Sequence, residues 1–515
     1  MDKVILDGYN LTLEDVINVA RYKAEVEISE EAIEKVKESR KIIDEIVESE
    51  RVVYGVNTGF GSLMSVSISK EDSAQLQENL IRSHASGYGN PLSEEEVRAV
   101  MLIRINSLVK GFSGIRLETV QTILDMLNKG VVPHIPEKGS VGASGDLAPL
   151  SHMVLPMLGL GRAYFKGELM SGKEAMEKAG VKTITLAAKE GLALNNGTTV
   201  LTAVGAIATY DAIKLLKLAD IAGALSLEAH RGIIDAFYEK LHAIRPHKGC
   251  LATAKNIRSL TEGSTYMTHT AQLRVQDAYS LRCMPQSHGA NKDTVAYVKE
   301  KVEIEINSAT DNPIVYPEGD IISGGNFHGE PMAQPFDFLG IGAAEIANIS
   351  ERRIERLVNS QLSSFPSMLV KHPGLNSGFM ITQYAAAALV SENKVLAHPA
   401  SVDSITSCEN QEDFVSMGNW ASRKVREVVK NTARILTTEL MIAAQALDFR
   451  MEMEDNKFEL GKGTKVAHDV IRNQVDFIEE DKKIEIYEEL EKAQELITSG
   501  KLLEEVEKVV SLWLF

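Results

Sequence analysis

Apolar residues recur along most of this chain at helical spacing. Over residues 30–50, Ile33, Val36, Ile42, Ile43 and Ile46 form one stripe between charged positions, which predicts an amphipathic helix with a single face on a core. Three segments place a hydroxyl three residues before a carboxylate, the pattern in which two side chains satisfy the free amides of a first helical turn: Thr12 with Asp15, Ser69 with Asp72, and Ser93 with Glu96. Helix starts are expected at all three. Farther on, residues 201–229, 336–362, 380–397 and 421–447 are rich in Ala, Leu and Ile around much of the helical circumference. Such helices need neighbours on several sides, as in a large bundle or at subunit contacts. Strand signals are few and local.

Glycine-rich stretches at 54–61, 111–114 and 139–145 punctuate the first part of the chain. The predicted fold class is therefore mainly α: a loop-rich N-terminal domain over 1–200, then a long central helical bundle with C-terminal helices over 201–515. The acidic, Lys/Glu-rich stretch 479–511 reads as solvent-facing terminal helices.

The chain has 515 residues and a net charge of −17, with the composition of an ordinary globular protein. That balance argues against nucleic acid and anionic membranes as partners, because both are bound largely through a Lys/Arg surface. No apolar run is expected to reach the roughly 18 residues of a membrane span. The start, MDKVILD, is acidic where a secretion signal needs a basic region. Cys250, Cys283 and Cys408 lie far apart without paired spacing, so a reducing cytoplasm is the expected setting. No metal site is expected: the histidines form no His-Glu-x-x-His pair, and His242 and His247 read as surface residues without a third ligand.

The most unusual segment is GSVGASGDLAPLSH at 139–152. One reading is a tight glycine turn leading into a helix. A phosphate loop is opposed by the missing Gly-Lys-Ser/Thr ending and by Asp146, which would repel an anion. A third reading is covalent. Small residues around Ser144 allow the Gly145 nitrogen to fold back on the Ala143 carbonyl, and loss of water from that ring and from the Ser144 side chain would leave an exocyclic methylidene, an electrophile that no ordinary side chain supplies.

Ala143-Ser144-Gly145 in this setting resembles the self-processing site of the aromatic amino acid ammonia-lyases. Separated matches in the family's order extend the resemblance over most of the chain: YGVNTGFG at 54–61, SHASG at 83–87, NNGT at 195–198, QDAYSLR at 276–282, TDNP at 310–313, GNFH at 325–328 and NQED at 410–413. The resemblance implies a 4-methylidene-imidazol-5-one (MIO) group made autocatalytically from Ala143, Ser144 and Gly145, with no external cofactor. It also implies Tyr54 as the base for the β-proton, Asn196 as a donor to the MIO oxygen, Arg282 as the carboxylate clamp, and Tyr279 near the substrate amine or the MIO group. Gln276, Asn312, Phe327 and Gln411 join the implied substrate-binding set. A phenol near pKa 10 is protonated at neutral pH, so Tyr54 needs donors or positive charge around its anion.

His84 and Glu412 bear on the substrate, since together they can address both nitrogens of an imidazole. They resemble the histidine-specific members, which implies a small amino acid, L-histidine, converted to trans-urocanate and ammonia by a carbon–nitrogen lyase. One departure is Phe414, where those members commonly carry histidine. If it faces the ring site, tyrosine becomes the alternative, through a tyrosine ammonia-lyase or a tyrosine 2,3-aminomutase on the same scaffold. The resemblance further implies a homotetramer whose sites combine residues from three copies. A fumarase-type helical lyase lacks its signature here, and a non-catalytic scaffold would need none of these side chains.

Overall fold

The computed structural model describes residues 3–49 and 51–514. Glu50, which ends the helix expected over 30–50, and Met1 and Asp2 of the acidic start lie outside them. The chain is mainly α-helical, with long helices at Thr199–Ala229, Met284–Glu305, Glu330–Val358 and Gly418–Met453. Two of the three expected caps open helices as read. Thr12 and Asp15 close reciprocally at the start of Leu13–Ala20, and Ser93 and Glu96 do so at Glu94–Leu108. The third differs. The Asp72 amide donates to the Ser69 hydroxyl at 3.2 Å and that hydroxyl to the Asp72 carboxylate at 2.8 Å, but the pair closes a turn of its own and the helix begins only at Ser73.

Residues 3–210, 299–337 and 399–426 form one compact unit. Its helix Glu94–Leu108 is buried at every position from Glu96 onward, which explains why its sequence shows no single apolar stripe. Arg104 on that helix is fully enclosed, donates to the Ala193 carbonyl, and has its pKa pushed down to about 10 by burial. Lys189 and Asp311 pair at 3.0 Å, both buried. Such charges are tolerated inside only with partners in place. Ile43, Ile46, Val53, Val56, Ala188 and Val315 form an apolar cluster in the same unit. A three-stranded antiparallel sheet, Val131–Pro133, Arg162–Phe165 and Glu168–Ser171, is its largest strand assembly among the described residues.

The second unit comprises 211–298, 338–398 and 427–514. It holds a buried polar network: Asp220 accepts from His288, Lys292 and Asn256 at 2.6–2.8 Å, and Glu439 accepts from Arg353, Ser226 and Ser350. The terminal helices Ile486–Thr498 and Lys501–Glu507 bury Leu496, Ile497, Leu502, Leu503 and Val506, so they present charge on one side and dock through the other rather than facing solvent all round. His242 is also not a surface residue. It is 3% exposed, and its Nε2 lies 3.0 Å from the Ala236 carbonyl, an interaction with its own chain that sequence spacing does not reveal. By length and composition, Thr199–Ala229 is apolar enough to cross a membrane, contrary to the expectation that no run reaches that length; 78% of its apolar window is buried within the fold, as in a core helix.

Candidate active site

The loop 139–146 is held by side chains on every side. Buried Asp146 accepts from the Leu201 amide and from the Ser140 hydroxyl, each at 2.7 Å, which ties the loop to the start of Thr199–Ala229. Burial pushes the Asp146 pKa up to about 6, against the pull of these donors. The Gly142 carbonyl accepts from the Ser416 hydroxyl at 2.8 Å and the Gly329 amide at 3.0 Å. At Gly145, with φ of +75°, a Cβ would lie 2.2 Å from the Gly197 carbonyl oxygen, so the close approach of the two strands admits only glycine.

This arrangement fixes Ser144 at both ends. Its carbonyl oxygen accepts from Asn196 Nδ2 at 2.7 Å and from the Gly197 amide at 3.4 Å. Its hydroxyl donates to Glu412 Oε1 at 2.5 Å. Glu412 in turn accepts through Oε2 from the Ser407 hydroxyl at 3.1 Å, and Ser407 and Glu412 are paired through their backbones. Between them Cys408, Glu409 and Asn410 all adopt left-handed φ values of 50°, 53° and 68°. Three consecutive non-glycine residues in that region store strain, and the tight turn they make brings Glu412 to Ser144 and Gln411 to the cavity wall.

The loop around Tyr54 completes the wall. The Gly61 amide donates to the Tyr54 hydroxyl at 3.3 Å. Burial raises the Tyr54 pKa, the Glu412 and Cys408 charges add to it, and the single Gly61 donor opposes it. The stabilised phenolate expected from sequence is therefore not present in this arrangement by itself. His84 ends the helix Ser73–His84 and pairs through Nδ1 with the Ser83 hydroxyl at 3.0 Å. Burial lowers its pKa, and the nearby Glu412 carboxylate partly offsets that.

Together these residues enclose a cavity of about 500 Å³, wholly inside the first unit. Tyr54, Ala143, Ser144, Asn196, Asn312, Phe327, Gln411 and Glu412 all line it. Gly145 lies behind the wall, and His84 is within electrostatic reach of Glu412 without being a lining residue. Asn312 is held by the Ser323 hydroxyl and the Gly324 amide. Gln276, Tyr279 and Arg282 belong to the second unit and do not line the cavity. There the Arg282 guanidinium donates to Gln276 Oε1 at 3.1 Å and lies over the Tyr279 ring, and Tyr279 is 72% exposed.

Phe414 faces the cavity. Its ring stacks on His328 at 5.7 Å with the planes 5° apart. His328 stands within the GNFH motif without a role implied by it, and Ser407 has no local sequence signal. Among the described residues no lysine or arginine lines the cavity, whereas Glu412 and Asp413 both do.

The family model described as aromatic amino acid lyase matches residues 11–473. The chain belongs to the aromatic amino acid lyase family. Among these lyases, a histidine ammonia-lyase from Streptococcus sanguinis is 70% identical over 507 residues, covering 98% of each chain. The crystal structure of histidine ammonia-lyase from Trypanosoma cruzi superposes with a TM-score of 0.91 at 44% identity, over 99% of this chain and 96% of that one. A tyrosine aminomutase from Streptomyces globisporus gives 0.94 at 35% identity over the whole of both chains. As a lyase of this family, the chain acts on a small amino acid, and its fold is the helical one that these structures share.

Proposed function

We propose that the chain is a histidine ammonia-lyase, which removes the α-amine and a β-proton from L-histidine to give trans-urocanate and ammonia. The observation that carries this reading is the placement of Ser144 between Asn196 and Glu412, with His84 beside the same carboxylate. The relatives at 70% identity bear the same name, which disfavours the tyrosine ammonia-lyase and aminomutase alternatives.

The residues present fit an MIO group. Gly145 has room for no side chain, and the Ser144 carbonyl oxygen, which becomes the ring carbonyl, already has Asn196 and Gly197 as donors. Formed from Ala143, Ser144 and Gly145 by loss of two waters, the group supplies an electrophile for the substrate amine, which turns a poor leaving group into a better one. Asn196 stabilises negative charge on that carbonyl oxygen, a role in which one preorganised donor contributes strongly.

Burial keeps His84 neutral, so it offers the substrate ring a hydrogen bond rather than a charge, while Glu412 supplies the acceptor for a ring N–H. Tyr54 takes the β-proton. Its raised pKa calls for a cation or donors beyond the Gly61 amide, and the substrate carboxylate has no cationic partner among the described lining residues. Both needs are met if Arg282 and Tyr279, with Gln276, come from other copies of the chain in a homotetramer. The pairing of Arg282 with Gln276 and the exposure of Tyr279 leave them available for that contact. The three cysteines are unpaired, as suits a reducing cytoplasm.

A side-by-side assay of the purified protein with L-histidine, L-tyrosine and L-phenylalanine, following ammonia and the organic product, tests the proposal. Urocanate from histidine alone is the expected outcome. Coumarate or a β-amino acid as the main product would overturn the substrate assignment and leave the family intact.

A further inference from the structure

The second unit contains a polar cavity of about 250 Å³, distinct from the one that holds Ser144 and sharing Gln276 with the candidate substrate-binding set. Four guanidinium groups line it, those of Arg231, Arg274, Arg356 and Arg450, against two carboxylates, Asp277 and Glu454. Both carboxylates are already engaged. Asp277 holds Arg274 Nε at 2.5 Å and the Ile233 amide at 2.6 Å, and Glu454 holds Arg231 at 3.1 Å, with Arg450 farther off at 3.8 Å. The cavity thus carries an excess of two positive charges in a chain whose net charge is −17.

The donors around it are also incompletely used. Arg356 has no hydrogen bond or ion pair with any described residue, and its Nε is buried. Arg231 likewise has a buried Nε without an acceptor. His230, only 7% exposed and also lining the cavity, has a buried Nε2 with no partner. Burial, followed by the charges of Arg356, Arg274 and Arg450, pushes the His230 pKa down to about 3, so its imidazole stays neutral beside the guanidiniums. Buried donors left without acceptors are costly and uncommon, and planar guanidinium forks match the oxygens of an oxyanion.

We propose that this cavity binds a phosphate dianion through Arg231, Arg356 and the neighbouring guanidiniums. A dianion balances the excess of two charges and gives the orphaned donors acceptors. A single carboxylate would leave one charge uncompensated. Asp277 ties the cavity wall to the candidate carboxylate clamp, because its carbonyl accepts from Arg282 Nε at 3.0 Å. The guanidiniums that would hold the anion all lie in the second unit and none has a role in the proposed reaction, so the binding is tested separately from the catalytic reading.

Equilibrium dialysis of the intact, processed protein against labelled inorganic phosphate, at fixed ionic strength and neutral pH, tests this. Saturable binding of one phosphate per chain is expected, with a saturable rise in Tm. Arg356→Gln should weaken the dissociation constant about tenfold or more, the loss typical of one charge-assisted contact. Arg282→Gln should leave it unchanged. A parallel titration with glycerol 3-phosphate separates a free ion from the phosphoryl group of a metabolite by which of the two binds more tightly. No saturable binding to the wild-type protein would overturn the proposal whatever the variants do, and is the result expected if a carboxylate from a second copy already fills the cavity. Equal binding by Arg356→Gln, or loss of binding in Arg282→Gln, would place the anion elsewhere and overturn it as well.

Discussion

The Ser144 hydroxyl donates to the Glu412 carboxylate at 2.5 Å. The serine oxygen in that bond is the one that leaves as water when the Ser144 side chain is dehydrated to the methylidene, so processing removes the serine partner and frees Glu412 to face the substrate. Ser144→Ala should therefore show the full mass of its own translated sequence, with no water lost, and lose roughly 10³-fold or more in kcat. Mass spectrometry beside a urocanate assay checks this, and full activity in the variant would refute the electrophile.

Glu412→Ala separates making the group from using it. Glu412 touches neither the Ala143 carbonyl nor the Gly145 nitrogen that close the ring; its contact is with the Ser144 hydroxyl, which departs in the second dehydration. The variant should show the two-water mass loss while kcat/KM for histidine falls about 10²–10³-fold. An unprocessed Glu412→Ala chain would instead make the carboxylate part of the maturation chemistry.

The absence of lysine and arginine from the described cavity lining leads to a test of shared sites. Tyr54→Phe and Arg282→Ala should each be inactive alone. Co-expressed, they should regain activity, because a mixed tetramer contains sites with an intact Tyr54 from one copy and an intact Arg282 from another, about a quarter of all sites in a random mix. No recovery, in a mixture shown by native mass spectrometry to contain hybrids, would mean that each chain completes its own site.

Phe414 stacks on His328 at the cavity wall, while the imidazole-reading roles fall to His84 and Glu412. Phe414→His should thus preserve histidine as the preferred substrate, with kcat/KM changed by no more than about tenfold. A switch in the preferred amino acid, read in the same three-substrate assay, would make residue 414 the determinant of the ring.

His152, on the helix that follows the loop, accepts from the Gly87 amide at 3.1 Å and is therefore neutral in the folded protein. Burial, then the charges of His134 and Arg162, push its pKa down to about 4. Because the folded value lies below the unfolded one of about 6.5, its contribution to stability is complete above pH 6.5 and is lost as pH falls toward 4. Denaturant melts of His152→Gln should show a flatter stability profile between pH 6.5 and 4 than the wild type, with the two curves parallel above pH 7. An unchanged slope in the variant would assign the acid sensitivity to other groups.

Much of the site was legible because its signals are local. Ala143-Ser144-Gly145 is a contiguous tripeptide, and the glycine at 145 meets a steric demand that only the absence of a side chain satisfies. The cap at Thr12 could be read from four residues. The Ser69 pair was misread for the same reason, since the hydrogen bonds of a capping box and of an isolated turn look alike in sequence. The buried His242 and the docked faces of the terminal helices depend on distant packing that spacing alone does not encode.

Apolar periodicity along the chain is enough to set its helical character, and the small side chains around Ser144 are enough to mark the tripeptide able to close on itself. It took the packed chain to bring Tyr54, Ser144, Asn196, Asn312 and Glu412 around one cavity, to leave that cavity without a lysine or arginine among the described lining residues, and to turn Phe414 into it against His328. Periodicity and turn chemistry act over a few residues and are written in order along the chain. Convergence across hundreds of residues depends on which buried surfaces and hydrogen-bonding groups find each other, and that is settled only when the whole chain has packed.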